Sequence, residues 1–182
     1  MYRPCLTFAA CAFALAHPAH ATIADPIFLA SFGAEPAALT GVTAAHNSAR
    51  AEVGVAALFW DEGLAASAQV WANKCIDVEA PLGLLDHNAN RSVGFPFYVG
   101  ENIFGTGGAA SGVDAVALWV AEKANYNHGN NTCNGVCGHY TQVVWSTTVR
   151  VGCAMSFCAN LQFENSVVCD YGPGGNTGGP PY

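Results

Sequence analysis

Charge is scarce in this sequence: Asp, Glu, Lys and Arg make up 10% of its 182 residues, against roughly 25% in ordinary soluble domains. Lysine occurs only as Lys74 and Lys123, and six basic residues face thirteen acidic ones. An anionic surface has no means of gripping phosphate backbones, so no nucleic-acid partner is expected. Long apolar runs are lacking too. The stretch from Cys5 to Ala16 is about a dozen residues, where a membrane-spanning helix needs roughly 20. No transmembrane segment is therefore expected. Common hydrolase motifs are also missing, with no Gly-x-Ser-x-Gly, His-Glu-x-x-His or His-x-x-x-His.

What is present begins with an export signal. Arg3 precedes the apolar run, His17-Pro18 ends it, and Ala19-His20-Ala21 supplies the small-x-small pattern of a cleavage site. Residues 1–21 read as a signal peptide cut after Ala21. The product is expected to be secreted and extracellular, or periplasmic in a bacterial host. Cys5 and Cys11 leave with the signal, and Cys75, Cys133, Cys137, Cys153, Cys158 and Cys169 remain. An even set in an exported chain reads as a disulfide framework whose pairing spacing alone does not choose. Cys133-x3-Cys137-x-His139 imitates a zinc cluster, but oxidising export makes a disulfide the stronger reading. Asn90-Arg91-Ser92 and Asn130-Asn131-Thr132 fit the N-glycosylation pattern.

Residues 22–35 show no period and read as a lead-in. Helical spacing then runs from Pro36 to Gly54 through Leu39, Val42, His46, Ala49 and Val53. A second helix starts at the N-cap Asp61 and carries Leu64, Ala68, Trp71, Ala72 and Cys75 on one side. Residues 79–111 read as irregular. A third helix is expected from Ser111 to about Tyr126, with Val113, Val116, Ala117 and Val120 on one face. Tyr140–Trp145, Val151–Phe157 and Ser166–Tyr171 read as strands of an antiparallel meander. Gly172–Tyr182 is a Gly/Pro-rich tail with no apolar face to bury. Helices first and strands last imply an α+β domain.

Several segments together resemble the CAP superfamily of cysteine-rich secretory proteins, antigen 5 and pathogenesis-related proteins. The strongest is Gly138-His139-Tyr140-Thr141-Gln142-Val143-Val144-Trp145 with Val151-Gly152-Cys153-Ala154. The others are His46-Asn47-Ser48-Ala49-Arg50, Gly100-Glu101-Asn102-Ile103-Phe104, Trp119-Val120-Ala121-Glu122, and Cys169-Asp170-Tyr171-Gly172-Pro173-Gly174-Gly175-Asn176. They follow the family's order and span nearly all of the mature chain, with the domain at residues 36–171. Two departures stand out. Asp170 replaces the family's usual neutral polar residue, and extra residues lie between His87 and Glu101. The arrangement resembles the stand-alone plant type.

The resemblance implies an α-β-α sandwich with a central antiparallel sheet, and the pairing Cys75–Cys158, Cys133–Cys137 and Cys153–Cys169. It also implies that His87, Glu101, Glu122 and His139 line one cleft. Two imidazoles and two carboxylates are donors for zinc or another divalent cation, or acid–base groups. His46 and Asn47 are read as packing residues. With no nucleophile in sight, the leading expectation is a monomeric, non-enzymatic binding module with a defence-like or signalling role and no required cofactor. Phe95, Phe97 and Tyr98 are its candidate contacts for a sterol or fatty acid. A metal-dependent hydrolase using the same cleft is the alternative. A third expectation, that the tail is a releasable peptide, is weaker because the tail is one residue short and lacks the usual residues before the cut.

Overall fold

The segment ending at Tyr171 has apolar side chains on both of its faces, and a layer of helix packs on each. The computed structural model describes residues 33–80 and 82–182; the signal peptide, Cys5, Cys11 and most of the lead-in lie outside them. The main sheet contains β1 (Phe59–Trp60), β2 (Gly100–Thr106), β5 (Arg150–Phe157) and β6 (Asn165–Gly172), ordered β1-β5-β6-β2. β5 and β2 flank β6 antiparallel, whereas β1 joins β5 in parallel. The sheet is thus antiparallel except at that edge. β3 (Tyr126–Asn127) and β4 (Thr132–Cys133) form a separate ribbon.

Val167, Cys169 and Tyr171 of β6 face one core. It is filled by α1 (Val42–Glu52), α3 (Gly112–Ala121) and α4 (Gly138–Val143) through Val42, Val116, Trp119, Tyr140 and Val143. Val168 faces the other core, with Ile103 and Ala154, under Ala68 and Ala72 of α2 (Glu62–Ala72). This period-two alternation makes the α-β-α sandwich. A side chain at Gly152 would collide with the backbone of Asp61 and Ala65, so glycine there lets α2 lie close on the sheet. The disulfides are Cys75–Cys158, Cys133–Cys137 and Cys153–Cys169, the last joining directly opposed residues of β5 and β6.

Local signals placed the caps well. Asp61 accepts from the Leu64 amide at 3.0 Å, and Ser111 from the Asp114 amide at 3.1 Å. The first helix is broken, however. A 3₁₀ turn at Ala37–Leu39 precedes Gly41, whose φ of 90° interrupts the run, and α1 starts at Val42. The Glu35 carboxylate accepts from the Gly41 and Thr43 amides, both at 2.6 Å, at the start of α1. The third helix ends at Ala121 and continues as a 3₁₀ turn, Glu122–Asn125.

Three expectations fail. Residues 100–106 form β2 rather than irregular chain. Their glycines hid the strand: a side chain at Gly100 would meet Gln142, and one at Gly105 would meet Leu84. Tyr140–Trp145 forms α4 and the turn after it, not a strand. Its β-branched residues favour a strand locally, but tertiary hydrogen bonding overrides that preference. The buried Arg50 guanidinium donates to Val143 O and Trp145 O at 2.9 Å, to Thr148 O at 2.9 Å, and to Ala56 O at 2.7 Å. It therefore supplies a donor to the Val143 carbonyl at the end of α4 and a second donor to Trp145 O, which also accepts from the Thr148 amide. The tail is also bound down, and against expectation it buries apolar surface: Pro181 is buried and Tyr182 packs on the core beside Tyr126 and Tyr140. The Ser146 amide donates to Pro181 O at 2.7 Å, and the Gly174 amide to Tyr98 O at 2.6 Å.

Arg50→Met keeps the side-chain bulk but strands these buried carbonyls. It is expected to cost about 3 kcal/mol or more in denaturant unfolding; a loss below about 1 kcal/mol would contradict the capping role.

Candidate functional site

Three segments far apart in sequence meet at the free edge of β2. Glu101 sits on β2 with its side chain fully buried, and its Oε1 accepts from His87 Nδ1 at 2.7 Å and from the Asn88 amide at 2.9 Å. The same carboxylate oxygen thus fixes the loop and orients the imidazole. Glu122 acts similarly at the end of α3. Its Oε1 accepts from His139 Nδ1 at 2.6 Å, while Oε2 accepts from the His139 amide at 3.0 Å and the Tyr140 amide at 3.3 Å. Glu122 therefore caps α4 as well as holding its imidazole. Trp119 stacks on the His139 ring, with centroids 6.2 Å apart and an interplanar angle of 21°.

A carboxylate is an acceptor, so each Nδ1 carries the hydrogen, and in the neutral ring Nε2 is left with the lone pair. His87 and His139 both line one recess of about 200 Å³, floored by Leu85 and Ile103. Of the four residues expected to meet, His87 pairs with Glu101 and His139 with Glu122, but only the two imidazoles line this recess; neither of these glutamates reaches its wall. Among the described residues, no group of three or more His, Cys, Asp or Glu side chains is arranged to hold a metal ion. Of the four, the two imidazoles bring a ligating atom to this recess, with Glu101 and Glu122 behind them as orienting partners.

A polar scaffold supports this edge. His46 is buried and donates from Nδ1 to Val42 O at 2.8 Å, while its Nε2 accepts from the Tyr171 hydroxyl at 2.8 Å. Asn102 Nδ2 donates to that hydroxyl at 3.1 Å and to His139 O at 3.1 Å. The chain of bonds runs from α1 to the site. Asn47 brackets Leu58, donating to its carbonyl at 3.0 Å and accepting from its amide at 2.7 Å. Both are packing residues, as read from the sequence. The roles of Tyr171 and Asn102 had no sequence signal, because they depend on the β2–β6 register.

Asp170 lies opposite Glu101 in that register and is fully buried; Ser67 beside it and the more distant Arg91 charge favour its ionised form, but burial outweighs both. Two ionised carboxylates only accept, and as such Glu101 Oε2 and both Asp170 oxygens have no hydrogen-bond partner. Burial, then the Glu101 charge, push the Asp170 carboxyl up to about 8. It is therefore protonated at neutral pH and supplies a donor toward Glu101.

The aromatic loop divides. Phe95 and Phe97 pair at 5.6 Å and are half-buried, with Phe97 against Gly172 and Phe95 near Gly63. Tyr98 is 47% exposed and lines a different, polar recess. The stripe Val113, Val116, Ala117 and Val120 lines an apolar groove of about 240 Å³ against Ala45 and Ala49 of α1.

These burials set opposite pH dependences. Asp170 has a folded value of about 8 against 3.8 for the free group, so its contribution to stability declines as pH rises across that window. His46 is lowered by burial from 6.5 to about 4, so its contribution is full above 6.5 and lost as pH falls towards 4. Asp170→Asn is expected to raise the thermal midpoint more at pH 7 than at about pH 4.5, and to unmask an acid-side decline from His46. An equal gain at both pH values would contradict the burial of a protonated Asp170.

Among the described residues, no helix is long and apolar enough to cross a membrane. The model of the Cysteine-rich secretory protein family (CAP) matches residues 43–171. Pathogenesis-related protein 1 of Arabidopsis thaliana is 51% identical over 132 residues, covering 72% of this chain and 74% of that protein. Pathogenesis-related protein 1B of Nicotiana tabacum is 45% identical over 142 residues, covering 76% and 77%. Schistosoma mansoni venom allergen-like protein 4 shares the fold at a TM-score of 0.64 and 27% identity, covering 80% of this chain and 94% of that one. NaASP2, solved with Zn2+, does so at 0.60 and 25%, covering 82% and 90%. With its ordered motifs, its three disulfides and its paired histidines and glutamates, the chain belongs to the CAP family and is of the pathogenesis-related 1 type.

Proposed function

We propose that the protein is a secreted, non-enzymatic binding module with a defence-like or signalling role, whose cleft takes a divalent cation on His87 and His139. The observation that carries this reading is the pair of carboxylate-held imidazoles lining one recess, each with Nε2 left as a lone-pair donor. The structure of NaASP2 with Zn2+ supports it by analogy. A bound cation would supply positive charge and a polarised water; the alternative, a metal-dependent hydrolase, would use that water. Zinc titrated into metal-free protein is expected to give saturable heat. His139→Ala should abolish it, and Glu101→Gln should weaken it about tenfold through loss of the orienting bond. No heat, or heat unaffected by His139→Ala, would contradict the reading.

A second ligand reading has its own observation. The α1–α3 groove is walled by alanine and valine, which suits the acyl chain of a fatty acid better than the bulk of a sterol. Phe95 and Phe97, half-buried beneath their loop, are less available than the sequence alone suggests. Palmitate uptake is expected to drop about tenfold in Ala117→Trp, which fills the groove, and to be kept in Phe97→Ala. The reverse pattern would move the lipid to the aromatic loop.

A further inference from the structure

We propose that a second recess, which shares His87 with the first, binds a small organic monocarboxylate through Arg91 and Tyr98. The basic side chains of the described residues point to it. Arg50 is buried on four carbonyls. Arg150 pairs with Asp61 at 3.3 Å, Lys123 pairs with Glu52 at 2.9 Å, and Lys74 lies 5.0 Å over the Trp71 ring. Arg91 alone among them has a charge that lines a cavity yet meets no carboxylate at ion-pair distance.

Its geometry is fixed in advance. Nε donates to Val99 O at 2.8 Å, Nη1 to Asn88 O at 2.9 Å, and Nη2 to the Tyr98 hydroxyl at 2.8 Å. A guanidinium has five N–H groups, so one remains on each terminal nitrogen. The Tyr98 hydroxyl accepts from Arg91 and still has its own hydrogen to donate. Arg91 and Tyr98, joined by their own hydrogen bond, both line a recess of about 310 Å³. Planar, paired donors on a held arginine suit the two oxygens of a carboxylate.

Apart from His87, which the two recesses share, the other polar side chains in the wall have little to offer a ligand. Gln142 is committed to the Gly175 amide at 2.7 Å and to Thr148 at 3.3 Å. Asn176 is committed to Gly138 O at 2.9 Å and to the Thr141 hydroxyl at 2.7 Å. Glu101 also borders the recess, but its Oε1 is occupied by His87 and Asn88, and its Oε2 is buried beside Asp170. The remaining negative potential, in a chain of net charge −7, disfavours a dianion such as phosphate. The volume lies at the lower end for ligand sites and limits the ligand to a small acid. Arg91 and Tyr98 lie in the stretch between His87 and Glu101 that carries extra residues.

The test is L-lactate titrated into isotope-labelled protein in metal-free buffer, followed by NMR, with glycerol and inorganic phosphate in parallel. Saturable shifts are expected at the amides of Asn88, Val99 and Gly100. Arg91→Gln should weaken binding about tenfold or more, and Tyr98→Phe about threefold without disturbing the backbone bonds of Arg91. His139→Ala should leave lactate binding unchanged while removing the zinc response, which separates this site from the cation cleft. The proposal is overturned by no saturable shift, or by affinity unchanged in both Arg91→Gln and Tyr98→Phe. Glycerol shifting the same amides as strongly, or phosphate binding more tightly than lactate, would overturn it equally.

Discussion

The cleft depends on one buried cation that has no counter-ion. Arg50 sits on α1, and its guanidinium reaches carbonyls at the end of α4 and in the turn that follows. Burial lowers its pKa to about 10, which leaves it charged at neutral pH. A charge in that position is tolerable only while several carbonyl dipoles point at it, so the helix end and the cation stabilise each other. Because α4 is six residues long, such an external anchor matters more than its intrinsic propensity. His139 is carried on that anchored turn.

Around this anchor the site is built from double-purpose groups. Glu122 caps α4 and turns the His139 ring, while Glu101 ties down the loop at Asn88 and turns the His87 ring. The bonds from His46 through Tyr171 to Asn102 hold the His139 carbonyl from beneath. Fold stability and cleft geometry therefore rest on the same residues. A substitution here acts on both, which is why variants at the cleft must be read with a measure of folding beside them.

Much of the fold was legible in the residues. Caps at Asp61 and Ser111, the strand-like runs that form β5 and β6 and the even cysteine set followed from local chemistry and compartment. The CAP motifs then supplied the disulfide pairing and named the four cleft residues. What stayed hidden was long-range. β2 looked irregular because its glycines answer to Gln142 and Leu84, side chains from elsewhere in the chain. The Tyr140–Trp145 run looked like a strand because the arginine that caps it lies some 90 residues earlier. The His–Glu pairing within the four was equally invisible, since it depends on where α4 and the 87–101 loop meet the edge of β2. Asp170 was conspicuous as a departure from the family, yet its meaning needed the β2–β6 register.

The central claim is that the cleft is set in advance, with each glutamate holding its histidine so that Nε2 is presented to the recess. Long-range proton–nitrogen NMR of the imidazoles in metal-free protein at neutral pH tests it most directly. The account predicts that both His87 and His139 carry their hydrogen on Nδ1, with Nε2 unprotonated. The opposite tautomer at either ring, or rapid averaging between the two, would contradict it.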